Sequence, residues 1–116
     1  MTRSDETWIT DILAAIVAIR EDTAGMDYPA FQRSPIVARS VLFSVSVIGE
    51  ATKNLSDMFK AGYPAIPWRA IAGTRDRIVH EYFRTNTLRV WEVVTEDLDP
   101  LETTLRAFLQ ATGNTE

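Results

Sequence analysis

The sequence predicts an all-α fold, a small antiparallel helical bundle of four to five main helices. Apolar residues recur at three- and four-residue spacing along most of the chain, proline and glycine fall where such runs begin and end, and the one alternating segment has a competing helical stripe. The 116 residues, 46% hydrophobic and 24% charged, suit one domain over 1–116. A chain of that size buries roughly two-thirds of its unfolded surface.

Ile9, Ile12, Leu13, Ile16 and Val17 mark an amphipathic helix from Asp5 to about Asp22, stopped near Gly25. Asp27 to Arg33 is a short segment of one or two turns, and Ser34-Pro35 supplies an N-cap and a first helical residue for the next element. From Pro35 to about Lys60 two periods compete. Phe43-Ser44-Val45-Ser46-Val47 alternates as a strand does, whereas Val41, Ile48, Ala51, Leu55, Met58 and Phe59 continue a helical stripe with no turn signal until Gly62 and Pro64. The longer pattern favours a helix. Its portion from Val41 to Ile48 is apolar nearly all round, which predicts burial on two sides, the second by another subunit. Ile66-Pro67-Trp68 begins a helix running to about Phe83, and Asn86-Thr87 opens another with Leu88, Trp91, Val94 and Leu98 on one face. Asp99-Pro100-Leu101-Glu102 reads as N-cap, first-turn proline and capping-box glutamate of a last helix carrying Leu101, Leu105, Phe108 and Leu109.

Composition excludes several chemistries. No Cys is present, which removes disulfides, thiolate zinc sites, iron–sulfur clusters and cysteine nucleophiles. His80 is the only histidine, so a site built on paired imidazoles needs two chains. Met1 to Arg20 lack a basic start, and the apolar run Ile12 to Ile19 is short for a membrane span or a signal segment. A cytoplasmic protein without a membrane partner is expected. The net charge of −4 is unlike that of a typical basic nucleic-acid-binding domain, yet residues 69–89 carry five Arg against Asp76 and Glu81. A local positive patch and an ordinary solvated face both fit that distribution.

The helix after Pro67 holds the least ordinary feature. On an ideal wheel Trp68, Ile71, Ala72, Ile78, Val79 and Tyr82 fall within about 60° either side of one direction, and Arg75 points along it. A guanidinium centred on an apolar stripe is costly unless it is paired, snorkels, or reaches a filled cleft. Pairing with a carboxylate such as Glu50 would satisfy it equally well. Asp76 lies one turn before His80, close enough to orient an imidazole as general acid–base or to form a simple surface pair. Glu92, Glu96, Asp97 and Asp99 are read as a solvated acidic face, so no metal and no cofactor is expected. Trp68, Trp91 and Phe108 are read as core.

The run Arg75-Asp76-Arg77-Ile78-Val79-His80-Glu81-Tyr82 resembles the signature of HepT-like proteins in the HEPN superfamily: Arg, a polar residue, three others, His, one other, Tyr. Ile48-Gly49-Glu50-Ala51 with Lys53 and Leu55-Ser56, Ile66-Pro67-Trp68-Arg69, Val90-Trp91, and Asp97-Leu98 before Pro100-Leu101 extend the likeness over almost the whole chain. The resemblance implies an all-helical homodimer acting as a metal-independent endoribonuclease, the toxin of a toxin–antitoxin pair. It makes Arg75 and His80 catalytic, Asp76 supporting, Tyr82 the residue that an MNT-type nucleotidyltransferase antitoxin modifies with AMP, and Arg69 and Arg77 candidate contacts to the RNA substrate. The family's polar position is more often Asn than Asp. Phe43 and Ser46 stand where members often carry Arg and Glu, so no supporting role is carried over to them.

Metal-free RNA cleavage needs a base for the 2′-hydroxyl proton, an acid for the leaving oxygen, and cations for the phosphorane charge. One His per chain serves both transfers poorly. A two-fold dimer would gather two His80 and two Arg75 around one groove, and would also bridge the unfavourable five-residue spacing between them. A non-catalytic helical module that binds nucleotide or RNA, and a purely structural dimer, are the competing readings.

Overall fold

The computed structural model describes the backbone of residues 4–80 and 87–113, and the side chains of 4–74 and 87–113. The described elements are α-helical, with no strand among them: α1 (Asp5–Thr23), α2 (Tyr28–Gln32), α3 (Pro35–Asn54), α4 (Asp57–Ala61), α5 (Trp68–His80), α6 (Thr87–Glu92) and α7 (Leu98–Ala111). A π turn over Val93–Asp97 joins the last two.

α1 begins where the Ser4 hydroxyl accepts the Thr7 N–H at 3.2 Å, and Asp5 and Glu6 face the positive end of the helix dipole. It ends at Gly25, whose φ of 75° is the left-handed conformation a helix stop favours. Ile9, Ile12, Leu13, Ile16 and Ile19 are buried as the stripe requires. Val17 is not: it lies 100° around the helix from Ile16 and is 41% exposed. α2 is capped by Asp27, which accepts the Ala30 N–H at 2.9 Å, and places Phe31 in the core against Trp91 at 5.1 Å between ring centroids.

α3 resolves the competition of periods in favour of the helix. Val41, Val45 and Ile48 face the interior, and the helix packs against α1 on one side and α5 on another. Its 20 residues are long and apolar enough to cross a membrane. Here they are the central element of a globular core. Within the single chain one side of the Val41–Ile48 stretch is uncovered, with Phe43 71% exposed, and Ile36 earlier on the helix is 76% exposed.

Two boundaries differ from the pattern in the sequence. The helix does not continue to Lys60: it ends at Asn54, Leu55 turns extended (φ −66°, ψ 146°), and Ser56 caps the separate α4 by accepting the Phe59 N–H at 3.1 Å. Met58 consequently leaves the apolar stripe and is 87% exposed, while Phe59 is buried. Near the C-terminus no new helix is capped at Asp99. Leu98 is helical (φ −71°, ψ −38°), and the chain passes from α6 into α7 through the π turn. Pro100 has no N–H to give an α-helical bond, and the wider π turn just before it accommodates that loss. Asp99 and Glu102 instead bind Arg20 of α1, at 2.6 and 3.0 Å, and Glu102 also accepts from Arg106 at 2.9 Å.

Among the described residues the buried apolar side chains form one cluster, to which α1, α3 and α7 contribute most. Each fully buried Ile or Leu contributes about 1.5–3 kcal/mol. Exposed ion pairs such as Arg89–Glu92 (3.2 Å) contribute at most about 1 kcal/mol, so burial dominates.

Candidate functional site

α5 is held at its start rather than along its length. Pro67 precedes the helix and its carbonyl accepts the Ile71 N–H at 3.0 Å. The Trp68 indole N–H donates to the carbonyls of Lys60 (3.1 Å) and Tyr63 (3.0 Å), and the ring meets Phe59 edge-on at 5.8 Å. These contacts tie the first turn of α5 to α4 and the connecting turn. Ile71 packs half-buried on the core, and α3 runs beside α5. Trp91 and Phe108 pack as core aromatics, Phe108 against Phe59 at 4.8 Å.

The α-helical backbone continues through Arg75, Asp76, Arg77 and His80. On such a helix positions 75 and 80 are about 7.5 Å apart along the axis and 140° apart around it. No local unwinding of the described backbone brings them to one face. Positions 76 and 80 are one turn apart. The side chains of Arg75, Asp76, Arg77 and His80 lie outside the described residues, and so does Tyr82 altogether, together with the expected helix end at Phe83.

Arg69 is described and exposed. With Lys53 of α3, Lys60 of α4, Trp68 and Ala72 it lines an open groove of about 350 Å³. Sequence reasoning made Arg69 a candidate RNA contact but did not join the lysines to it, and it favoured core over base stacking for Trp68. A signal was available: Lys53 and Lys60 are seven residues apart, a spacing that puts both on one side, but nothing local joins them to Arg69 across the break between α3 and α4.

Of the acidic face, Glu92 pairs with Arg89 and Asp99 with Arg20, Glu96 is exposed, and Asp97 departs from the expected solvated position: it is half-buried and lines a small cavity with Val45, Ile48 and Ile71. Among the described residues no group of three or more Asp, Glu or His is placed to hold a metal ion.

The family model described as Ribonuclease HepT-like matches residues 12–108. A protein of Caldanaerobacter subterraneus subsp. tengcongensis, named as a candidate RNase, is 32% identical over 108 residues, covering 93% of this chain and 96% of its own. One from Thermococcus cleftensis, named as a candidate ribonuclease HepT, is 35% identical over 102 residues, covering 88% and 93%. A candidate RNase of Methanocaldococcus jannaschii is 36% identical over 87 residues, covering 75% and 72%. No solved structure matches the chain.

Proposed function

The chain belongs to the HepT-like ribonuclease family, and from that premise we propose that it is a cytoplasmic, metal-independent endoribonuclease acting as a homodimer, the toxin of a toxin–antitoxin pair. The observation that carries the reading is the family match over residues 12–108, which spans α5 and the whole run from Arg75 to Tyr82. The exposed Ile36 and Phe43 on α3 support a second subunit.

In the reaction the RNA 2′-hydroxyl attacks the adjacent phosphorus and the 5′-oxygen leaves, giving a 2′,3′-cyclic phosphate and a 5′-hydroxyl. His80 of one protomer takes the 2′-hydroxyl proton and His80 of the other protonates the leaving oxygen. Arg75 neutralises charge on the phosphorane, and Asp76 orients the imidazole one turn away. Arg69 and Arg77 add positive charge along the path of the strand. A continuous α-helix separates positions 75 and 80 around its axis, and a two-fold arrangement removes that difficulty by letting each subunit complete the other's site. AMP placed on Tyr82 by an MNT-type nucleotidyltransferase would set a bulky anion two residues from His80, competing with RNA phosphate for Arg75.

The test is incubation of purified protein with single-stranded RNA in EDTA, beside Arg75→Ala and His80→Ala. Cleavage by the wild type falls by at least about 100-fold in each variant, with dimerisation and melting unchanged. Binding without cleavage by the wild type establishes the non-catalytic module instead. Exposure to the nucleotidyltransferase and ATP silences the wild type but not Tyr82→Phe.

A further inference from the structure

We propose that the groove between α3, α4 and the start of α5 is a second RNA subsite, which binds a phosphate and stacks a base of the strand outside the linkage that is cut; the proposal rests on the ribonuclease reading above. Lys53, Lys60 and Arg69 come from three different helices to line this one space, and among the described residues no carboxylate lines it. In a chain of net charge −4 these three basic residues concentrate positive charge around one groove, where the Lys60 ammonium donates to the Thr52 carbonyl at 3.5 Å. Lys53 and Arg69 are exposed and form no ion pair with the described residues.

Trp68 adds what a phosphate alone does not need. Its indole N–H is held by two backbone carbonyls and its ring meets Phe59, and the half-buried Trp68 is one of the residues that line the groove. A fixed aromatic surface beside cations is the arrangement that stacks a nucleobase while its phosphate is neutralised, and such stacking tolerates any base. The volume of about 350 Å³ is at the scale of small-ligand sites. Position 69 precedes position 75 by six residues, about 9 Å along the α5 axis. Position 75 is also turned about 120° around the helix from position 69, whereas position 80, about 16.5 Å along the axis, is turned only about 20°, so a strand that leaves the groove along this face leads toward position 80.

The test uses the full chain and a labelled single-stranded RNA 20-mer in EDTA, read by fluorescence anisotropy over a salt series. Lys53→Ala/Arg69→Ala is compared with the wild type and with Arg33→Ala/Arg106→Ala, which removes equal charge from exposed positions elsewhere. The groove variant raises Kd about tenfold and lowers the slope of log affinity against log salt by roughly 0.7 for each phosphate that the protein no longer neutralises. The control pair changes both far less. The cleavage defect is carried by KM, and it shrinks on a dinucleoside monophosphate too short to reach the groove. Equal losses in both pairs, an unchanged salt slope, displacement of the RNA by polyglutamate at matched charge, or no RNA binding by the wild type each overturns the subsite. The first two can occur while the wild type still cuts RNA, which leaves the ribonuclease reading standing. Groove-dependent binding without cleavage supports the subsite and refutes the nuclease.

Discussion

The Asp5 carboxylate accepts both the backbone N–H of Ser56, at 2.9 Å, and its hydroxyl, at 2.7 Å, joining the first turn of α1 to the point where α3 gives way to α4. The same hydroxyl oxygen accepts the Phe59 N–H and so caps α4. One carboxylate thereby stabilises a break that apolar periodicity alone would have bridged. Asp5→Ala is expected to cost about 1–2 kcal/mol, and Ser56→Ala a similar amount because the cap is removed as well. Urea unfolding of the two single variants and the double variant checks this: the double loses less than the summed single costs if the pair is coupled, and strict additivity refutes the coupling.

Elements whose boundaries are local were legible in the sequence. Ser4, Asp27 and Ser34 act as caps within three residues of the N–H groups they serve, and Gly25 stops α1 through its own backbone. The helical backbone that runs through positions 75 to 80 was legible for the same reason, since it is contiguous on one helix. What was hidden depends on distant partners. Ser56 breaks a helix with the help of a residue 51 positions away, and Asp99 and Glu102 leave a local capping role for Arg20, 79 and 82 positions away. The cationic groove has the same origin, as Lys53, Lys60 and Arg69 meet through tertiary packing.

Glu102 makes stability depend on acidity. Burial pushes its carboxyl up, but hydrogen bonds from Arg106 and Arg20 outweigh burial and hold it below its ordinary value of 4.5. The unfolded chain therefore takes up this proton at higher pH than the folded one. The stabilisation is complete above about pH 4.5 and is lost as pH falls through the lower folded-state value. Glu102→Gln is expected to be less stable than the wild type by about 0.5–1 kcal/mol at pH 7, with the gap closing below pH 4.5. Urea midpoints from pH 7 to pH 3 measure it, and a gap that stays constant over that range refutes the assignment.

Phe43 and Ile36 lie two turns apart on α3, 71% and 76% exposed, on a helix whose other sides pack against α1 and α5. Single exposed apolar side chains are common. Two at heptad spacing beside the helix that carries His80 fit the surface on which a second copy would complete the site. An aromatic anchor of this kind is worth about 2 kcal/mol or more at an interface, so Phe43→Glu is expected to weaken dimerisation by at least about 30-fold. Light scattering and RNA cleavage over a dilution series separate this from a catalytic defect. A composite site predicts that the variant's activity falls with its dimer fraction and recovers at high protein concentration. Phe43→Glu that remains dimeric and fully active at the lowest concentration would put the subunit contact on another face.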